Sequence, residues 1–393
     1  MSTDYEKQVS EYWNSKVVNY AFQKFDGYHD EMIEEWKKMA LIYAPSGNEV
    51  LRAEYLVKKF KEYGIDNAHI DDSGNAVALI DQGEGPTVTV FGTLDDLATV
   101  ADLVKVYDKP IIEKDGKLIG PGTHMSATLS NLLVLAKLFM LPEVQFKGKI
   151  YLVGVVQEET GLMGAKGFLK DHPGEVDYLI DIMAGIGRMS YGGIGIHWFK
   201  VHFKGPKAHT LRGFGPNVTK GVAKTIPKIF ALPLPENSYL NISMLGAGKV
   251  FNHRGDDGWF SVDLRSLDNS VIAENKAKIK KLADEVAAEE ELEAWIEPIV
   301  TTPAGQIPGA RDSPLTRVAE EIVKVMGYEP TLSNRGSCNM NVGVAQGVLS
   351  ISTGGDRGGA RDSNESYANI EPVMLGAKWV FLTSYILTNG VKE

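Results

Sequence analysis

Helical and strand-like patterns of apolar residues alternate along the N-terminal half of the chain. Apolar positions recur at helical spacing over residues about 5–43, Val50–Tyr63 and Ser130–Phe139. Short, mostly apolar runs that are typical of strands lie between and after these segments: Ala68–Asp71, Ala76–Ile80, Thr87–Phe91, Lys149–Val156 and Tyr178–Ile182. This alternation predicts an α/β domain in which helices cover a sheet.

The pattern changes near Tyr191 and changes back after Pro308. Between these points it predicts four strands and two helices, at Ile196–Phe203, Tyr239–Leu245, Trp259–Leu264 and Trp295–Val300, and at Val218–Phe230 and Val271–Glu289. Afterwards the first pattern returns, with helix, strand and helix at Leu315–Met326, Val348–Ser352 and Pro372–Leu387. The sequence therefore predicts an α/β domain, residues 1–192 and 307–393, interrupted by an α+β domain over residues 193–306.

Composition narrows the classes of partner. The 393 residues carry a formal net charge of −10 and a pI near 5.4, which argues against nucleic acid and anionic membranes as partners. We expect no apolar run of transmembrane length, and the polar N-terminus lacks the apolar core of a signal peptide. Because Cys338 is the one cysteine, no internal disulfide can form. We therefore expect a cytoplasmic protein.

Two adjacent glutamates, Glu158 and Glu159, follow the predicted strand Lys149–Val156. Neighbouring carboxylates repel each other, and a buried one is costly unless it meets a cation or a proton. In metallohydrolases one such carboxylate binds metal while the other moves the proton of the attacking water. The pair predicts an active site; the alternative is a salt-bridged pair at a strand end.

Seven segments carry motifs in a characteristic order: Pro45–Glu49, Gly92–Asp95, Gly120–Met125, Glu158–Glu159, Lys207–Thr210, Asp263–Ser266 and Gly354–Glu365. Together they resemble the M20 peptidases, the family of carboxypeptidase G2, peptidase T and succinyl-diaminopimelate desuccinylase. The resemblance implies an M20-type catalytic α/β domain with a central mixed sheet. It also implies that the inserted α+β domain is a lid that forms a homodimer or a higher homo-oligomer.

The same resemblance shows that most metal-ligand positions are altered. The family binds two zinc ions through His, a bridging Asp, Glu, Asp or Glu, and His. The matching positions here hold Thr93, Met125, Glu159, Met183 and Arg361, so that only Glu159 clearly remains a ligand. A remodelled single-metal site could still use Glu159, Asp181 and His124. We expect no tightly bound zinc and at most one weakly bound divalent metal ion.

Loss of zinc changes the chemistry that the site can perform. Zinc lowers the pKa of bound water by about nine units, which corresponds to about 12 kcal/mol of activation. Glu158 as a lone general base contributes only about 10²–10⁴-fold. Ordinary peptide hydrolysis is therefore not expected; a remodelled metal site, metal-free chemistry on a more reactive substrate, or binding without turnover remain open. Arg361 would repel a divalent ion and could pair with Glu159 or with a substrate carboxylate.

Other candidate residues follow from the resemblance. His209 matches a lid histidine that reaches the partner subunit's site and stabilises the oxyanion. Asp95 is expected to orient the residue that stands in place of the ligand histidine, Thr93. Asn252 matches a substrate-contacting asparagine, although an ordinary turn asparagine is nearly as good a reading. Thr93, His124, Cys338 and Asn339 are further candidate substrate contacts. His124 could equally be a loop histidine bonded to backbone, and Cys338 an inert buried thiol.

Two functions follow from this combination. The first is an M20-like hydrolase for a small anionic substrate bearing a carboxylate, cleaving an amide or other C–N bond, with Glu158 as general base. The second is a non-catalytic small-molecule-binding protein on the same scaffold. The retained Glu158 and His209 favour the enzyme, whereas the lost ligands favour the binding protein.

Overall fold

The computed structural model describes residues 4–96, 110–356, 358–360, 363 and 365–391. The chain divides into two compact units, the first built from residues 1–192 and 306–393 and the second from residues 193–305. The second domain expected from the sequence, residues 193–306, differs from the second unit by one residue.

The helices and strands of the described residues are as follows. The helices are α1 Tyr5–Trp13, α2 Lys16–Gly27, α3 His29–Ala40, α4 Val50–Glu62, α5 Thr123–Phe139, α6 Met163–Asp171, α7 Val218–Phe230, α8 Asn269–Glu289, α9 Pro314–Val325, α10 Met340–Ala345 and α11 Ile370–Thr388. The strands are β1 His69–Ile70, β2 Ala76–Asp81, β3 Thr87–Thr93, β4 Ile112–Lys114, β5 Lys117–Ile119, β6 Lys149–Val155, β7 Tyr178–Ile182, β8 Arg188–Ser190, β9 Gly192–Gly193, β10 Gly195–Lys204, β11 Ala208–His209, β12 Ser238–Asn241, β13 Leu245–Ala247, β14 His253–Arg254, β15 Asp257–Ser266, β16 Glu293–Thr302, β17 Gly305–Gln306, β18 Thr331–Ser333, β19 Leu349–Thr353 and β20 Tyr367–Asn369.

A mixed sheet of eight strands forms the centre of the first unit, in the order β1-β2-β6-β3-β7-β19-β8-β18. Its middle strands β6, β3, β7 and β19 are parallel, and every residue of β3 is buried. Strands that are buried on both faces read as continuous apolar runs, which explains why the sequence pattern located them. The α/β class predicted from the sequence is confirmed.

Two apolar helices, α5 and α11, form the inner layer on one face of this sheet, and their side chains share one core cluster with Trp36 and Phe25 of the N-terminal helices. Among the described residues α11 is the one helix that is long and apolar enough, by length and composition, to cross a membrane. The expectation that no apolar run reaches that length was therefore wrong. However, most of α11 is buried inside the protein, as in the core helix of a globular domain.

The second unit is a five-stranded antiparallel sheet packed against α7 and α8. Strand β15 pairs with β10, β12 and β13, and β10 pairs on its other side with β16. Phe199, Val201 and Phe203 of β10 alternate toward the helices, and so do Phe260, Val262 and Leu264 of β15. The predicted strand Tyr239–Leu245 is in fact two short strands, β12 and β13, that pair with different parts of β15.

Two further predictions changed in detail. The long helical segment near the N-terminus is three helices, because Ser15 caps α2 through its hydroxyl and the backbone bends again at Tyr28. Helix α5 begins at Thr123 rather than at Ser130, so that His124 is a buried helical residue and not a loop histidine.

Candidate active site

The candidate site lies where the parallel strands of the first unit end. Strands β3, β6, β7 and β19 run in one direction, so their carboxyl ends meet at one edge of the sheet. Ligands of open α/β sheets bind characteristically at this edge. Thr93, Asp95, Glu158, Glu159 and Asp181 all belong to these strands or to the segments that directly follow them.

Asp95 organises the turn that carries the two glutamates. Its Oδ1 accepts the backbone N–H of Glu158 at 2.9 Å, and its Oδ2 accepts that of Glu159 at 3.1 Å. Oδ2 also accepts the Ser46 hydroxyl at 2.5 Å. Burial raises the pKa of Asp95 to about 6, although these hydrogen bonds act in the opposite direction. The carboxylate thereby fixes the backbone from which Glu158 and Glu159 project, and both glutamate side chains remain partly accessible.

A second acid holds the same turn from the other side. Glu49 is buried, and its Oε1 accepts the N–H of Gly47 at 2.8 Å and the N–H of Gln157 at 3.0 Å. Gln157 has a positive φ of 54°, a conformation that costs energy for a residue with a Cβ. The hydrogen bond from Gln157 to Glu49 compensates part of that cost. The turn before Glu158 is thus held in a strained conformation by neighbouring buried carboxylates.

A buried ion pair anchors the segment behind Asp95. Arg52 Nη2 lies 2.7 Å from Asp96 Oδ2, and both side chains are almost fully buried. Arg52 also donates to the carbonyls of Leu94 and Ile42, at 2.7 and 2.8 Å. Because removal of one partner would leave a buried charge uncompensated, this pair rigidly defines the backbone on either side of Asp95. Sequence reasoning marked the Pro45–Glu49 segment but not the roles of Ser46, Glu49 and Arg52.

Asn339 connects two positions beside the acidic turn. Its Nδ2 donates to Thr93 Oγ1 at 3.3 Å and to Asp181 Oδ1 at 3.4 Å. Thr93, Asp181 and Asn339 are all fully buried, and Asn339 Oδ1 has no hydrogen-bond partner among the described residues. The side chain of Thr93, where the resemblance implies a metal-binding histidine, is therefore part of an internal network of hydrogen bonds.

Asp181 is enclosed by the same network. Its Oδ2 accepts the backbone N–H of Met340 at 3.1 Å, and the Cys338 thiol also donates to the carboxylate. Burial raises the pKa of Asp181 to about 6, against the opposing effect of these hydrogen bonds. Burial likewise raises the pKa of the Cys338 thiol well above its ordinary value, and the charge of Asp181 adds to the rise. A thiol in this environment is a poor nucleophile.

His124 and the two methionines lie in the interior of the first unit. Met125 and Met183 are 4% and 7% exposed, and His124 is 4% exposed. A Cβ built on Gly358 would lie 3.2 Å from His124 Nδ1, so the imidazole packs against the glycine loop that follows β19. Arg361, which was predicted to anchor an anion at the end of this loop, lies outside the described residues.

The donor set does not fit a pair of zinc ions. Zinc is held by Cys, His, Asp or Glu, and thioethers do not hold hard cations. Within the described ranges no three His, Cys, Asp or Glu side chains are arranged to hold a metal ion. At the positions that match metal ligands, Met125 and Met183 supply only thioethers and Thr93 a hydroxyl already engaged with Asn339.

His209 and Asn252 lie together in the second unit. Leu211 N–H donates to His209 Nδ1 at 3.1 Å, so the proton of the neutral imidazole is on Nε2. Nε2 lies 3.3 Å from the Asn252 amide group, whose other end contacts His253 Nδ1 at 2.9 Å. In the structure the atom next to His209 Nε2 is Asn252 Nδ2, and the atom next to His253 Nδ1 is Asn252 Oδ1, so a protonated Nε2 would bond to Asn252 only with that amide group rotated by 180°. His209 is therefore a hydrogen-bond donor at Nε2.

Comparison with known proteins bears on this site. A family model described as peptidase family M20/M25/M40 matches residues 99–383. A protein of Pyrococcus furiosus, provisionally named a LysW-lysine/LysW-ornithine hydrolase, is 26% identical over 344 residues, which are 83% of this chain and 87% of the relative.

Solved structures agree on the fold. The dipeptidase Dug1p of Saccharomyces cerevisiae superposes with a TM-score of 0.75 at 14% identity, covering 95% of this chain and 99% of that one. A tripeptidase of Staphylococcus aureus superposes with a TM-score of 0.73 at 20% identity, covering 92% and 98%. At these identities the two structures bear on the fold alone.

Proposed function

Because this chain belongs to peptidase family M20/M25/M40, a family of hydrolases of C–N bonds, we propose that it hydrolyses an amide-type bond in a small carboxylate-bearing molecule. The name of the archaeal relative supports an amino-acid leaving group, since that protein is named for LysW-lysine and LysW-ornithine. A free α-carboxylate on such a group would make the substrate anionic at neutral pH.

The observation that carries this proposal is the double hydrogen bond from the turn to Asp95. It holds Glu158 and Glu159 side by side at the carboxyl edge of the sheet while their side chains stay partly accessible. We assign Glu158 as the general base that takes a proton from the attacking water. Asp95 acts as a positioning residue, because its carboxylate is fully engaged with Ser46 and the two backbone amides.

We propose further that the metal site is degenerate. Thr93 occupies a position that matches a metal ligand of the family, and Asp181 is a ligand of the possible remodelled site; both are bonded to Asn339 instead. Asp181 additionally accepts a backbone N–H and a thiol, so binding of a cation there would require several hydrogen bonds to break. At most one weakly bound divalent ion is compatible with this arrangement, with Glu159 as its principal ligand. Arg361 would supply positive charge in place of the missing ions.

We propose that the second unit acts as a lid and dimerisation domain, and that His209 of one subunit donates its Nε2–H to the developing oxyanion in the other. The tautomer set by Leu211 supports the donor role. Strand β16, ten residues long, pairs with β10 and lies at an edge of its sheet, where a second copy could add a strand. Sedimentation or scattering that finds a monomer would argue against this assembly.

A cytoplasmic location is part of the same proposal. The single cysteine, Cys338, is a buried free thiol, and a chain without disulfides suits a reducing compartment. Fractionation of cells that produce the protein from its own gene would test this, and recovery from a secreted or membrane fraction would contradict it.

The experiment combines metal analysis with a substrate panel. Protein purified without chelator should contain well under one zinc per chain, and two tightly bound ions per chain would refute the degenerate site. The panel consists of lysine, ornithine and other amino acids acylated on either amino group, with release of the free amine as readout. Turnover by the parent and its loss in Glu158→Gln would support the hydrolase. Glu143→Gln, which changes an exposed acid of the same unit, is the matched control.

Binding of panel members without any turnover, unchanged by added zinc, would instead support the binding-protein alternative. Turnover that survives Glu158→Gln would remove Glu158 from the role of base. These two outcomes are distinguishable, because the first is read by calorimetry on the parent and the second by product release in the variant.

A further inference from the structure

The second unit contains a cavity of about 540 Å³ that none of the preceding arguments uses. It lies between the start of α7 and the loops on either side of the short β11–β14 pair. Its polar lining includes Arg254, Lys220, His253, Thr219 and Asn217, together with the backbone of several glycines. No Asp or Glu lines it.

Arg254 is the unusual member of this lining. Its side chain is half-buried, its Nε is shielded from solvent, and Nε has no hydrogen-bond partner among the described residues. Nη1 makes only a long contact of 3.4 Å with the carbonyl of Pro216. Within the described part of the chain no carboxylate lies within 4.0 Å of Arg254.

The other buried or half-buried arginines in the described ranges are paired. Arg52 bonds to Asp96, Arg265 to Asp263, and Arg311 and Arg317 to Glu320. Nε of Arg254 has lost water without gaining an acceptor, which is costly for a donor, but the same is true of Nε in the paired Arg52. Arg254 differs from the paired arginines because its guanidinium has no carboxylate beside it, so an anion in the cavity would supply the missing opposite charge.

Glycines let the guanidinium take its position. A Cβ built on Gly215 would lie 2.2 Å from Arg254 Nη1, so any side chain at that position would displace the charged group. A Cβ on Gly255 would lie 2.6 Å from Gly248 Cα, which shows how closely the two loops that flank the cavity approach each other. The backbone shapes the cavity around Arg254.

The carboxylates near the cavity do not neutralise Arg254, because each of them is paired with another side chain. Glu290, which lies outside the lining, is 3.2 Å from Lys220. In the adjoining depression, Asp256 pairs with Lys207 at 3.0 Å and Asp257 lies 3.8 Å from His202. The acids nearest in sequence to Arg254 thus have partners of their own.

We propose that this cavity is a binding site for an oxyanion group, a carboxylate or a phosphate, with Arg254 as its principal donor. The planar guanidinium matches the geometry of two oxygens on one anion, and Lys220, Thr219 and His253 offer further donors around it. The proposal concerns the second unit alone and does not depend on the assignment of Glu158.

The test is titration of the full-length protein with inorganic phosphate, succinate and neutral succinamide, followed by amide chemical shifts. We expect the amides of Gly213, Gly215 and Gly248 to shift with phosphate or succinate but not with succinamide. Arg254→Gln should weaken binding of the effective anion at least about tenfold, because a charge-assisted bidentate contact is lost. Arg254→Lys keeps the charge but not the two parallel N–H donors of the guanidinium, so its affinity for the anion should lie between those of the parent and Arg254→Gln.

Two variants keep the result interpretable. Arg212→Gln removes an equal charge from an exposed position in the neighbouring turn and should bind within about twofold of the parent, since screened surface charges contribute little. Gly215→Ala should weaken binding like Arg254→Gln, with an unfolding midpoint that shows the protein still folds. Whether phosphate or succinate binds shows whether the site takes a phosphate or a carboxylate group.

Absence of shifts with both anions, or equal binding by the parent and Arg254→Gln, would overturn the proposal. Because the readout is binding and not turnover, failure here leaves the hydrolase proposal intact, and the reverse also holds.

Discussion

Asp95 and Asp181 are two buried aspartates at the same edge of one sheet, but they bond to different kinds of donor, with different consequences for the site. Around Asp95 the acceptors are turned toward backbone amides, and the result is a fixed turn that presents Glu158 and Glu159. Around Asp181 the donors are Asn339, Met340 and Cys338, and the result is a closed interior network. Under the proposed function, Asp95 fixes the turn that carries the general base, whereas Asp181 lies in a hydrogen-bonded interior and not at an open metal site.

The largest expected effect concerns the retained side. Glu158→Gln should lower kcat on any substrate found in the panel by about 10²–10⁴-fold, the usual contribution of a positioned general base. The amide cannot accept a proton from water, while its size and hydrogen-bonding reach are nearly unchanged. Steady-state rates of the two proteins measure the effect. A drop of less than fivefold would mean that another group acts as base.

The next prediction asks whether Asp95 really shapes the turn. Asp95→Ala removes the acceptors of the Glu158 and Glu159 amides, and both should then exchange hydrogen roughly ten to a hundred times faster, as expected for loss of bonds to a charged acceptor. Ser46→Ala is the matched control, because it removes the third donor but leaves both amide bonds in place. If the amides of Glu158 and Glu159 were protected from exchange in Asp95→Ala as well as in the parent, other contacts would hold the turn.

Much of the fold was predictable because its elements are regular. Strand Tyr178–Ile182 and helix Val218–Phe230 were located without error, since apolar periodicity follows burial directly. Helix α5 was not, because its first two turns contain Thr123, Ser126 and Thr128 and therefore resemble a loop. Each of these hydroxyls donates to a carbonyl of its own helix or its flanks, which removes the usual cost of burying it.

The motifs of the candidate site can be found in the sequence, but the contacts between their residues cannot. The pair Glu158–Glu159 and the altered ligand positions could be read from single motifs. By contrast, Asn339 contacts Thr93 and Asp181 across 246 and 158 residues of chain, and no local pattern reports contacts of that kind. The same holds for Arg52 and Asp96, an ion pair that a sequence without its fold cannot distinguish from two surface charges.

A third prediction sharpens the Asp181 side through pH. Its pKa is raised from about 3.9 in the unfolded chain to about 6 in the folded protein, so the folded state binds the proton more tightly. The contribution of Asp181 to stability is then fully present below about pH 4 and is lost as pH rises toward 6. Relative to Asp181→Asn, the parent should lose up to about 3 kcal/mol of unfolding free energy across this window.

Urea unfolding between pH 3.5 and 7.5 in a chelating buffer measures this difference, because the range begins below the pKa of the unfolded chain and ends above the raised pKa. Glu143→Gln is the control, because that carboxylate is exposed in the same unit. Asp95 should also contribute less to the free energy of unfolding as pH rises, since burial raises its pKa to about 6. A parent and Asp181→Asn pair whose stabilities run parallel with pH would show that Asp181 is ionised in the folded protein at no cost.

The smallest effect is expected at Cys338, whose thiol is 2% exposed and donates into the Asp181 network. Its raised pKa and its burial predict that a disulfide reagent reacts only when the protein opens, so the rate should follow unfolding and not the pH dependence of an ordinary thiolate. Cys338→Ser keeps a donor to Asp181 and should cost no more than about 1 kcal/mol, with kcat unchanged. Cys338→Ala removes the donor from a buried carboxylate and should cost more than the serine variant. Rapid labelling of the folded protein, or loss of turnover in Cys338→Ser, would instead indicate that this thiol takes part in the reaction. Asp181, its neighbour, would then belong to the catalytic site as Asp95 does.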